Sequence, residues 1–135
     1  MKNTTILFMA VVLMTSCADN NNEKAVTPAN GFEAGREFVR AALDGDYRKA
    51  KDYLLADSIN TQLIEQQEAN YLKLEENVKY SYKTSSIRPV SITSPYDSVT
   101  LFRYYHSANA IDTTELRILR KNGVWKVDLK SVIRM

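Results

Sequence analysis

One cysteine, one histidine, one tryptophan, three prolines and four glycines are all that this 135-residue chain has of those residue types. The single thiol, Cys17, rules out an intramolecular disulfide. The single imidazole, His106, leaves no histidine-based metal cluster and no His–Cys dyad, and a cofactor is not expected. The four glycines form no phosphate-cradling loop. Charge is nearly balanced, with 18 Lys and Arg against 16 Asp and Glu. No basic stripe is visible, so nucleic acid, whose binding is driven by phosphate neutralisation, is not an expected partner. The apolar run Ile6–Met14 holds nine residues. Spanning a bilayer takes roughly 20, so this run is too short to be a transmembrane helix.

What is present begins with that run. Lys2 supplies a positive start, Ile6–Met14 an apolar core, and Met14-Thr15-Ser16 leads into Cys17, the pattern of a secretory signal peptide. The small Ser16 followed by Cys17 resembles the lipobox of bacterial lipoproteins, in which the cysteine is acylated and becomes the mature N-terminus. The resemblance implies cleavage between Ser16 and Cys17 and a partner in the membrane, reached through acyl chains on Cys17. Acylation gives a use to a lone thiol that would be a liability in an oxidising compartment. The mature chain of 119 residues suits one domain.

Residues 1–16 are thus read as signal peptide, 17–27 as lipidated cysteine and tether, and 28–135 as the folded domain. Ala18–Thr27 is polar, Asn-rich and without apolar periodicity. Fully stretched, its ten residues reach ~35 Å. Asp19 and Glu23 resemble the acidic export tags of Bacteroidota surface lipoproteins, which implies an outer-membrane location; a merely solvated linker is the alternative.

Asn30 with Glu33 predicts a helix N-cap and its capping-box partner. Phe32, Gly35, Val39, Ala42 and Leu43 then form one stripe. Asp44-Gly45-Asp46 ends that helix and caps a short second one carrying Tyr47, Ala50, Tyr53 and Leu54. A third, long amphipathic helix starts at Asp57 or Ser58, with Ile59, Leu63, Gln67, Tyr71, Leu74 and Val78 on one side. From Lys79 the period changes to two. Tyr80 and Tyr82 read as strand residues, and Ile87, Val90 and Ile92 continue a strand that Pro89 bends or confines to an edge. Ser94–Asp97 is a turn, and Ala108–Asp112 a loop. In the strand between them Val99, Leu101, Arg103 and Tyr105 face one way, Thr100, Phe102, Tyr104 and His106 the other. A further strand carries Leu116 and Ile118, and Asn122-Gly123 predicts a type I′ hairpin into the last one. The fold class is α+β: three N-terminal helices packed on a four-stranded antiparallel sheet.

Two segments, Phe38–Ala50 and Lys121–Asp128, with this layout resemble the nuclear-transport-factor-2-like (cystatin-like) superfamily, and within it the small bacterial lipoprotein domains of unknown function. The resemblance covers roughly residues 28–133. It implies a strongly curved sheet wrapped around the helices as a cone with an apolar pocket, and a core position for Trp125. The superfamily includes isomerases and hydratases as well as non-catalytic domains, so fold alone does not decide function.

A pocket enzyme of that kind needs a carboxylate base near the floor and acidic donors such as tyrosine. The candidate pocket residues are Tyr80, Tyr82, Tyr104 and Tyr105, with Arg103, which either binds an anionic ligand or snorkels out at the sheet edge. Glu115 and Asp128 sit on the charged side of their alternation and are expected to face solvent. His106 is expected to be exposed or to cap a strand end. With no assembled catalytic set, the expectation is a non-catalytic, membrane-anchored envelope lipoprotein binding a small apolar ligand, a peptide or an envelope protein. A small isomerase- or hydrolase-type enzyme and a structural assembly subunit are the alternatives.

Overall fold

The computed structural model describes residues 27–134. Four helices precede four strands: α1 Gly31–Asp44, α2 Tyr47–Asp52, α3 Ser58–Leu72, α4 Glu76–Thr84, β1 Ile87–Tyr96, β2 Val99–His106, β3 Asn109–Lys121 and β4 Val124–Arg134. The strands form an open antiparallel meander in the order β1-β2-β3-β4.

The expected helix boundaries follow local chemistry. Asn30 Oδ1 accepts from Glu33 N at 2.9 Å, and Glu33 Oε2 accepts from Ala29 N at 3.0 Å, so the capping box closes one residue early. Gly45 ends α1 at φ 76°, and Asp46 N donates to Ala41 O at 2.9 Å. Gly45 also has a steric reason to be glycine. A Cβ there would lie 2.6 Å from Tyr71 Cε1. Asp46 caps α2 through Lys49 N, and Asp57 caps α3 through Asn60 N.

The third helix is shorter than the periodicity predicts. It stops at Leu72, and Glu76–Thr84 forms a separate helix, so Tyr80 and Tyr82 are helical rather than strand residues. The reason is tertiary. Arg40 on α1 donates to Ser85 O at 2.7 Å, Tyr82 O at 3.1 Å and Lys83 O at 3.2 Å, gathering the carbonyls at the end of α4 onto one guanidinium. Lys79 adds an ion pair to Glu76 at 2.9 Å. Two alternating tyrosines do not outweigh those bonds.

In the sheet, Asn109–Asp112 belongs to β3 and the chain reverses at Ser107-Ala108, which replaces the expected loop. β1 likewise runs on to Tyr96. Pro89 lies on the edge strand, and the β1–β2 register shifts between Pro89 and Ser91. Asn122 and Gly123 both take positive φ, 51° and 77°, as a type I′ turn requires.

One face of the sheet is covered by α1. Phe102, Ile118 and Val127 are fully buried beneath it. Close approach depends on Gly35, where a Cβ would lie 3.1 Å from both Ile118 Cδ1 and Phe102 Cδ1. The edge of β4 is not left free: Val127 N donates to Tyr53 O and accepts, through its carbonyl, from Leu55 N. Trp125 is half-buried against the core. Asp128 departs from its expected solvated position and is 4% exposed. Its carboxylate accepts from Asn60 Nδ2 at 3.2 Å, and Asn60 Oδ1 accepts from Leu129 N at 2.7 Å, joining the start of α3 to β4.

Candidate ligand cavity

Between the helices and the inner face of the sheet lies a cavity of about 330 Å³. α1 contributes Phe38, Val39, Ala42 and Leu43, which present only carbon. The sheet contributes Tyr104, His106 and Thr114 beside Leu116, while Tyr71 and Tyr82 reach in from α3 and α4. The volume falls at the low end of ligand sites.

The strand periodicity decides which candidates arrive. Phe102 is wholly buried against α1, stacked at 5.1 Å on Tyr104 and edge-on to Phe32. Residues two and four further along β2, Tyr104 and His106, therefore line the cavity. Arg103 and Tyr105 project from the other face. Arg103 Nη2 meets its cross-strand partner Glu115 at 3.3 Å, which gives both charges an outer-face role and leaves Arg103 Nε without a partner among the described residues. Tyr82 lines the cavity from a helix. Tyr80, two residues earlier, is 70% exposed. Of the five candidates, the structure brings together Tyr82 and Tyr104. Cys17 and Ser16 lie outside the described residues.

His106 is half-buried rather than exposed, with its ring 5.2 Å edge-on to Tyr82 and its Nδ1 buried without a partner among the described residues. Burial lowers its pKa, with Arg40 adding to the effect, so the imidazole is neutral at pH 7. Tyr47 and Tyr71 pack edge-on at 5.7 Å. Burial pushes the Tyr47 hydroxyl up to about 12, reinforced by Tyr71 and Glu68, and Tyr71 is raised chiefly by burial too. Both stay protonated at neutral pH. Tyr71 Oη, tucked against Gly45, is the second buried polar atom here that lacks a partner among the described residues.

Among the described residues no Lys or Arg lines the cavity. The lining carboxylate is Asp112, which is exposed at the rim and holds Asn109 Nδ2 at 2.8 Å. The wall formed by the described residues is thus dipolar and aromatic, without a buried ion. Tyr47, Tyr71 and His106 escaped the sequence-based candidate set. Tyr71 and Tyr47 already stood on inward helical stripes, while His106 shared the alternation of Phe102, which was the available signal.

Among the described residues no cluster of His, Cys, Asp and Glu could hold a metal ion, and no helix is long and apolar enough to cross a membrane. Comparison with known families, with characterised proteins and with solved structures gives no match to this chain.

Proposed function

We propose that this protein is an acylated envelope lipoprotein, held by Cys17, whose α+β domain takes up a small uncharged ligand in the cavity beneath α1. In this reading the nuclear-transport-factor-2-like resemblance holds, and the cavity is the interior of its cone. The observation that carries the binding role is the cavity's composition: a carbon floor from Phe38, Val39, Leu43 and Leu116, with neutral polar groups from Tyr82, Tyr104 and His106. Burying an ion there would require a counter-charge that the described lining residues lack, whereas an apolar body with one or two hydroxyl or carbonyl groups loses little.

The isomerase-type alternative needs a carboxylate buried beside tyrosines. Asp112 is exposed, and the buried Asp128 is engaged with Asn60 away from the lining, which favours binding over catalysis. The assembly reading draws on β1, an edge strand exposing Val90, Ile92 and Tyr96; size-exclusion chromatography showing a monomer would remove it.

Native mass spectrometry of the mature protein, purified mildly from its host membrane, tests the proposal. A co-purifying small molecule is expected in the wild type. It should be absent from Ala42→Phe, whose ring occupies the cavity, with circular dichroism unchanged. A clean apo spectrum for both proteins, with no thermal shift from any apolar alcohol or ketone in a ligand panel, refutes it.

A further inference from the structure

The near-neutral total conceals an uneven distribution of charge. Arg117–Lys126, the tip of the β3–β4 hairpin and its flanks, carries four cations and no carboxylate. Arg117, Arg120 and Lys121 are exposed, and Lys126 is half-buried with its Nζ on Asp52 O. Among the described residues none of the first three has a carboxylate within ion-pair distance. The opposing charges nearby are the buried Asp128, the cross-strand partner of Arg117, Asp52, whose carbonyl holds Lys126, and Asp97, in a turn tied to the hairpin by the bond from Arg120 N to Ser98 O at 2.8 Å. Exposed Tyr96, the last residue of β1, immediately precedes that turn.

This is also the end at which the chain enters the domain. At the start of α1, a Cβ on Gly31 would collide with Thr100 Oγ1 and lie 3.0 Å from Trp125 Cε3. Thr100 and Trp125 are the second residues of β2 and β4, beside the Asp97-Ser98 and Asn122-Gly123 turns. Cys17 is ten residues before Thr27, a span of at most ~35 Å. His106, Asn109 and Asp112 of the cavity flank the Ser107-Ala108 turn at the opposite end of the strands.

We infer that the β3–β4 hairpin docks on an anionic phospholipid surface, so that the domain lies against the membrane by this end with its cavity directed to water. The inference rests on the anchored-lipoprotein reading for its setting. Its physical basis is charge complementarity: each basic residue near an anionic leaflet shifts partition about five-fold. The tether keeps the hairpin within reach of that surface, and Tyr96 suits the interface, with an apolar ring and a polar tip. Ligand would then exchange with the aqueous compartment rather than with the bilayer.

The test uses the full mature protein and its sole tryptophan, Trp125, as the reporter. Fluorescence quenching by brominated phosphatidylcholine is read in vesicles with and without phosphatidylglycerol. Intact mass first shows whether Cys17 carries acyl chains; acylated protein is reconstituted, unacylated protein is added to preformed vesicles. Quenching should be stronger with phosphatidylglycerol and fall with added salt, as the Debye length shortens. Arg120→Gln with Lys121→Gln, both on exposed side chains, should weaken the docked population by ~30-fold. Equal quenching in both vesicle types, or quenching unchanged in the double variant, overturns the docking. An unacylated Cys17 overturns the anchor alone, because the docking is still read from the added protein.

Discussion

Replacing Asn60 by alanine should cost about 3 kcal/mol, far more than its single-residue size suggests. Asn60 is fully buried. Its Nδ2 donates to Asp57 Oδ2 at 2.9 Å and to Asp128 Oδ1 at 3.2 Å, and its Oδ1 accepts from Leu129 N at 2.7 Å. Asn60→Ala orphans the buried Leu129 N–H, worth roughly 1–3 kcal/mol, and removes charge-assisted bonds of roughly 1.5 kcal/mol or more. Asp128 keeps Lys130 N at 3.2 Å, which limits the loss. Against a typical domain stability of about 5–15 kcal/mol this is a large fraction. With a urea m-value of ~1.5 kcal/mol/M, the midpoint should fall by about 2 M at unchanged slope. Asn60→Asp sharpens the reasoning, because it keeps the shape and the acceptor for Leu129 N–H but adds a carboxylate beside Asp57 and Asp128. Its own pKa is raised in the folded state, so its deficit should be worst at neutral pH and shrink on acidification as it takes up a proton. The effect would reach the cavity too, since Leu129 lines it. A midpoint shift below about 0.3 M for the alanine variant, or a pH-independent deficit for the aspartate variant, refutes this account of how α3 is fastened to β4.

Acid sensitivity has two separable parts, because His106 is lowered by burial and Asp57 is lowered to about 2 by Asn60 N–H and Lys130. Both folded-state values lie below the unfolded ones, so the stabilisation is present above the unfolded pKa and lost as pH falls. Urea midpoints should decline first below His106's ordinary 6.5 and again from 3.8 towards 2, and Asp57→Asn should flatten the second step alone. Arg40→Met should loosen the end of α4, seen as faster amide exchange at Ser85, whose N–H bonds Tyr82 O. It should also raise the His106 pKa by NMR titration, since Arg40 holds it down. Gly45→Ala should cost at least ~2 kcal/mol in thermal unfolding, from the left-handed backbone and the displaced Tyr71 ring. Gly123→Ala, also at positive φ but with none of the described residues within 4 Å, should show the backbone cost alone.

What could be read along the chain was what neighbouring residues settle between themselves. Asn30 and Glu33, Gly45 and Asp46, and Asn122-Gly123 each mark a boundary with bonds or dihedrals confined to a few positions, and each appears where expected. The failures share a cause: the deciding partner lies far away in sequence. Tyr80 and Tyr82 alternate like strand residues, yet the bonds that end their helix come from Arg40, 42 to 45 residues earlier. Asp128 reads as solvated until Asn60, 68 positions away, is placed against it. Alternation along β2 correctly separated Arg103 and Tyr105 from Tyr104 and His106. It could not say which set faces inward, because that depends on α1 covering Phe102 through Gly35. Tyr82 thus reaches the cavity from an element other than the expected one, while His106 gets there unannounced. Charge behaved alike: a total near zero is an average, and the hairpin turn is what gathers Arg117, Arg120, Lys121 and Lys126 on one end of the sheet.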